Sequence, residues 1–120
     1  MHELSIAQGI VDIIGQYVPE AQAADVRVVK IRVGQMAGVV PDSLEFCFGA
    51  IASGTPLEQA RLDIEETPVR SRCKACGEEF TVEGSTFLCP SCGSIEITVL
   101  SGTELQVIEI ELVDRPAGVV

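Results

Sequence analysis

Three observations predict an α+β fold carrying a small metal-binding insert. Apolar residues recur at helical spacing in two stretches of the first half, and alternate at strand spacing in three others. Two C-x2-C pairs, Cys73 with Cys76 and Cys89 with Cys92, fall between the second and third alternating stretches. The expected body is two helices packed on one face of a three-stranded mixed sheet, with an inserted zinc ribbon. Its domains would be a discontinuous α+β domain, residues 1–69 and 101–120, and a ribbon over residues 70–100.

The first helix is read from Ile6, Ile10, Ile13, Ile14 and Tyr17, which share one helical face. It should start near Glu3 or Ser5, with Ser5 and Gln8 as a capping box, and stop before Pro19. In residues 28–33, Val29, Ile31 and Val33 alternate with Lys30 and Arg32, the pattern of a half-buried strand. A loop over residues 34–40 leads to Pro41, suited to the first position of a second helix, with Asp42 and Glu45 where the helix dipole favours negative charge. Leu44, Cys47, Phe48 and Ile51 form its apolar face, so Cys47 is expected to be a buried, inert thiol; Gly54 and Pro56 end the helix.

The second strand, residues 61–65, turns Leu62 and Ile64 inward. The third, residues 104–112, turns Ile108, Ile110 and Leu112 inward and Glu109 and Glu111 outward. Opposite charges across strands favour placing Lys30 and Arg32 beside at least one acidic strand. Residues after Asp114 are expected to form a frayed tail.

The cysteines form a C-x2-C-x12-C-x2-C array in which Gly77 and Gly93 directly follow each pair. Each pair can supply two corners of a tetrahedron, and the residues between suffice for a hairpin on which Phe80 and Phe87 pack. A closed, structural zinc site of Cys73, Cys76, Cys89 and Cys92 is the reading, with a rubredoxin-like iron site and two disulfides as the alternatives. A metal would help so small a module fold.

Composition narrows the function. Eighteen acidic residues against eight basic ones give a net charge of −10, and 4% aromatic content leaves few platforms for stacking bases. A nucleic-acid reader is therefore disfavoured, and Glu78, Glu79, Glu83 and Glu96 offset Arg70, Arg72 and Lys74 even within the ribbon. With no signal-like start and no stretch approaching about 20 apolar residues, the expectation is a soluble cytoplasmic protein. The only histidine, His2, is terminal, and no nucleophile–base pair is visible, so an enzyme is not expected.

His2 nonetheless has a chemical use. The Met1 terminal amine, the amide nitrogen of His2 and its imidazole can chelate one ion in adjacent rings, and Glu3 adds an amide and a carboxylate. Nitrogen-rich square-planar coordination selects Ni(II) or Cu(II). The first four N–H groups of a helix have no intrahelical partner, so ionising these amides would break no backbone bond.

The Met1-His2-Glu3-Leu4-Ser5 start, Val33-Gly34-Gln35, Pro41-Asp42-Ser43-Leu44-Glu45-Phe46, the paired cysteines and Ile108-Glu109-Ile110 together resemble the HypA/HybF family of nickel-insertion accessory proteins. The resemblance implies a metallochaperone in NiFe hydrogenase maturation, with transient Ni(II) at Met1, His2 and Glu3, Asp42 as a further acidic residue, and structural Zn(II) at the four cysteines. It also implies a HypB-type GTPase and the hydrogenase large-subunit precursor as partners; with the composition above, the expectation is no nucleic acid, no membrane, and a monomer or homodimer. Some relatives carry histidines beside the zinc cysteines; this chain has none. The runner-up is a zinc-ribbon module binding nucleic acid or protein.

Overall fold

The structure, a computed structural model, describes residues 2–84 and 86–113. The terminal amine of Met1 and the expected tail after Asp114 lie outside the described residues. In chain order the elements are α1 (His2–Tyr17), a 3-10 segment (Glu20–Asp25), β1 (Val26–Gly34), α2 (Pro41–Ala52), a 3-10 turn (Pro56–Gln59), β2 (Arg61–Thr67), β3 (Arg70–Cys73), β4 (Glu79–Thr81), β5 (Ile97–Ser101) and β6 (Leu105–Leu112). They form two three-stranded sheets, ordered β2-β1-β6 and β4-β3-β5. The α+β class is as expected, but the insert carries a sheet of its own that the sequence did not reveal.

The chain divides into two compact units, residues 1–31, 40–64 and 107–120, and residues 32–39 with 65–106. The second unit thus contains the expected ribbon and also the loop after β1 and the chain on either side of the ribbon.

In the first unit α1 and α2 pack together. The stripe that α1 buries is Ala7, Ile10, Ile14 and, just past its end, Val18. Tyr17, expected on that face, is instead 75% exposed, being displaced around the helix from the buried stripe. The helix begins at His2, so Ser5 lies inside it and no capping box forms; the Gln8 amide donates to Asp12 Oδ1 at 3.0 Å, one turn on. Pro41 opens α2 at its first turn, where its missing N–H is not needed, and Leu44, Cys47, Phe48 and Ala52 are buried. Cys47 is therefore the buried thiol its helical position indicated.

Along β1, Val29 and Ile31 are fully buried between half-buried Lys30 and Arg32. Both cations find carboxylates: Lys30 Nζ lies 3.5 Å from Glu109 within the first unit, and Arg32 Nε lies 2.8 Å from Glu65 within the second. The expected inward face of β6 needs correction. Ile110 is half-buried, but Ile108 and Leu112 are 41% and 38% exposed, because β6 is an edge strand of its sheet and an edge covers less of its own apolar side.

In the second unit β3 pairs antiparallel with β4, Ser71 opposite Phe80, and with β5, Cys73 opposite Ile97. Its core is Val69, Cys73, Phe80, Val82 and Cys89, with Phe87 and Ile97 packed against it. The two phenylalanines therefore share one core, as the hairpin reading required. At Gly34, the end of β1, the chain passes the turn between β5 and β6 so closely that a Cβ would sit 2.1 Å from the carbonyl carbon of Gly102. Hydrogen bonds from Gly34 N to Glu104 O and from Met36 N to Gly102 O, both 2.7 Å, fix that approach.

Candidate metal centre

Each cysteine pair forms the same hydrogen-bonded turn. Gly77 N donates to Cys73 O at 2.9 Å and Gly93 N to Cys89 O at 2.8 Å, and both glycines hold positive φ, 80° and 76°, a conformation costly for other residues. Cys73 N donates to Glu78 O and Cys89 N to Ser94 O, closing the base of each knuckle. The first knuckle is also tied to the approach of β5 by Lys74 N to Glu96 O, 2.9 Å.

These turns bring Cys73, Cys76, Cys89 and Cys92 together, with all four sulfurs within 4.8 Å of one another. Two cross-knuckle pairs, Cys73 with Cys92 and Cys76 with Cys89, are both 3.6 Å apart. A zinc–sulfur bond of about 2.3 Å gives a tetrahedron with edges of about 3.8 Å, so the donor set fits. A disulfide requires about 2.05 Å, and all five cysteines are free thiols. Cys73 and Cys89 are buried in the ribbon core, while Cys76 and Cys92 face solvent.

Four thiols this close cannot all ionise without a cation. The N–H of Cys76, 3.5 Å from Cys73 Sγ, is the main influence holding the Cys73 thiol down at about 6. At Cys76 the backbone N–H of Glu78 pulls downward, but the Cys89 sulfur, desolvation and the Cys73 and Cys92 sulfurs outweigh it and push the thiol up to about 12. At Cys92 the Ser94 N–H also pulls downward, yet Cys73, desolvation and Cys89 raise it on balance. A divalent ion would remove this mutual repulsion by pairing with the thiolates.

One group near this cluster was missed by sequence reasoning. Ser71 is fully buried two residues before Cys73 on the same strand, and its hydroxyl has no hydrogen-bond partner among the described residues. Its residue type gives no hint of burial.

At the other candidate site, α1 starts with His2 and Glu3 side by side, and His2 Nε2 lies 3.2 Å from Glu3 Oε2. The Glu3 side chain is only 13% exposed and the His2 side chain 58%. Glu3 precedes Ala7, Ile10 and Ile14 on the buried stripe of α1, which limits its freedom. Asp42 is exposed in the first turn of α2, and its side chain makes no ion pair or hydrogen bond among the described residues. Among those residues His2, Glu3 and Asp42 do not gather into a three-ligand cluster; the four cysteines do.

Comparison with known proteins identifies the family. The family model described as hydrogenase/urease nickel incorporation, metallochaperone, hypA matches residues 1–112. The hydrogenase maturation factor HypA of Desulfosudis oleivorans is 47% identical over 93% of this chain and 98% of its own length. That of Streptomyces avermitilis is 44% identical over 95% of this chain and 88% of its own. Among solved structures, the solution structure of the Ni metallochaperone HypA from Helicobacter pylori aligns with TM-score 0.62 at 19% identity, over 94% of this chain and 98% of that one. A second HypA solution structure gives TM-score 0.67 at 21% identity, over 94% and 97%. At such identities the structural likeness concerns the fold, whereas the matches in sequence reach nearly the whole chain. This chain belongs to the HypA family of nickel metallochaperones for hydrogenase maturation.

Proposed function

We propose that the protein carries Ni(II) to the large-subunit precursor of a NiFe hydrogenase, working with a HypB-type GTPase in the cytoplasm and performing no catalysis of its own. Family membership over residues 1–112 carries this reading. The nickel ligands are the Met1 amine, His2 and Glu3, with Asp42 a further acidic contributor. Chemistry at the start of α1 supports it. A chelate through the terminal amine and the His2 amide closes its next ring on Nδ1, the nearer imidazole nitrogen. The Nε2 contact with Glu3 favours a proton on Nε2 and so leaves Nδ1 free to bind.

Residues 70–100 act as a separate ribbon domain, whose Cys73, Cys76, Cys89 and Cys92 hold one structural Zn(II); residues 1–69 and 101–120 form the nickel-binding domain. Zinc would supply the charge that keeps both knuckles closed, and it takes no part in transfer. Neither nucleic acid nor membrane is a partner, and the working form is a monomer or homodimer. Among the described residues no helix is long and apolar enough to cross a membrane.

The test is nickel titration followed by ultraviolet–visible absorption, with elemental analysis for zinc. His2→Ala should abolish tight nickel binding and leave one zinc in place, whereas Glu3→Gln should weaken nickel binding while retaining the amide ligand. Unchanged nickel affinity in His2→Ala would remove this site from consideration. A coloured protein containing iron in place of zinc would refute the zinc assignment.

A further inference from the structure

The first unit carries an open groove that neither metal site uses. Its volume is about 520 Å³, and its walls are the last turns of α1 with Val18, including Ile13 and Tyr17, and residues of β6, including Ile108, Ile110 and Leu112. The groove borders an edge strand, so backbone N–H and C=O groups of β6 lie unpaired along its outer side among the described residues. Tyr17, Ile108 and Leu112 are exposed there, a concentration of large apolar side chains at one rim.

The charges around this edge are one-sided. On the face of β6 opposite Ile108, Ile110 and Leu112, Glu109 pairs with Lys30 and the side chain of Glu111 has no partner among the described residues. Across the groove, α1 presents its C-terminal end, the negative pole of its dipole, with no basic residue in the last turn. The walls of the groove therefore carry no positive charge to repel a cationic partner, and the solvent face of this edge offers a free carboxylate, Glu111. A second copy of this chain is a poor occupant, since pairing β6 with another β6 would set carboxylates against carboxylates in a protein of net charge −10. The neighbour that β6 already has on its other side, β1, shows the chemistry that suits it: Val and Ile interspersed with Arg27, Lys30 and Arg32, with Lys30 reaching Glu109.

From this we infer that the outer edge of β6 and the adjoining α1 groove bind an extended segment of a partner protein in which apolar residues alternate with Lys or Arg. The segment adds a strand to the sheet, its apolar side chains fill the groove against Tyr17, Ile108 and Leu112, and its cations, on the opposite face, meet Glu111. This inference is independent of nickel binding, and its test contains no metal beyond what the protein retains.

The probe is a synthetic peptide of eight residues, the length of β6, with blocked ends and Val or Ile alternating with Lys or Arg. Titrations are read by fluorescence anisotropy and by amide NMR shifts of the whole protein. The expected result is saturable binding that weakens with salt, with shifts concentrated on β6 and the last turn of α1. Glu111→Lys should weaken it about five-fold or more, as reversal of a charge contact does, while Glu58→Lys, the same charge change away from the groove, should have a smaller effect. Tyr17→Ser, at an exposed position, should weaken it without unfolding the protein. Four outcomes would overturn the proposal: no saturable binding; equal binding of a peptide with Glu in place of Lys and Arg; equal binding of the same residues arranged in apolar and basic blocks; or β6 shifts that appear on concentrating the protein alone, which would give the edge to a second copy.

Discussion

At the scale of single residues the four thiols constrain one another. Cys73 titrates at about 6 while Cys76 is pushed up to about 12 and Cys92 is raised, so near neutrality Cys73 is an anion and the other two retain protons. A bound metal must displace those protons, so its affinity falls as pH falls. Metal addition to the apoprotein at pH 7 in weak buffer should release protons from both Cys76 and Cys92, measurable with an indicator dye; binding without proton release would contradict the four-thiolate site. Ser71 offers a second test. Its hydroxyl is buried without a partner, so removing it should cost no hydrogen bond and relieve a desolvation penalty. Ser71→Ala should leave the melting temperature of the metal-loaded ribbon unchanged or raise it, and a fall of several degrees would mean that the hydroxyl has a role the geometry does not reveal.

At the scale of elements, glycines separate local from long-range demands. Gly49 lies in α2 with open space where a Cβ would be, so Gly49→Ala should stabilise the protein by about 0.8–1.0 kcal/mol, the helix-propensity difference, in urea denaturation. Gly34→Ala should do the reverse, because its Cβ would collide with backbone at Gly102 that no side-chain rotation can clear. Equal stability of the two variants would show that the close approach is not maintained. The same contrast explains what could be read from sequence. Helices and strands with a repeating apolar face, such as α2 and β1, were legible because their signal is local. The Gly34–Gly102 approach, the edge position of β6 and the exposure of Ile108 and Leu112 were not, because strand order is fixed by partners far along the chain. The ribbon's strands β3, β4 and β5 are only three to five residues long, too short for alternation to distinguish them from loop. Of the candidate sites, the cysteine cluster was legible from spacing and glycine placement, whereas the His2–Glu3 contact depends on α1 starting at His2, and the capping signal at Ser5 pointed to a later start.

At the scale of the molecule, the proposed function asks two metal sites to do different work: the sulfur cluster that closes the second unit's knuckles, and a proposed nitrogen-rich nickel site at the first residues of α1. The cluster should be dispensable for much of the first unit, whose buried residues Ile10, Ile14, Leu44 and Phe48 come from α1 and α2. Cys92→Ala should lose zinc and amide-exchange protection in β3, β4 and β5 while α1 and α2 keep theirs; collapse of protection throughout would show that the units do not fold independently. The central claim is that nickel is held by the chain terminus itself, and it is tested most directly by adding two residues before Met1. Isothermal titration with Ni(II) should then show tight binding lost or nearly so, with one zinc retained, because the extension turns the ligand amine into an amide and alters the chelate rings. One nickel bound as tightly by the extended protein as by the native one would contradict the claim and locate the nickel elsewhere.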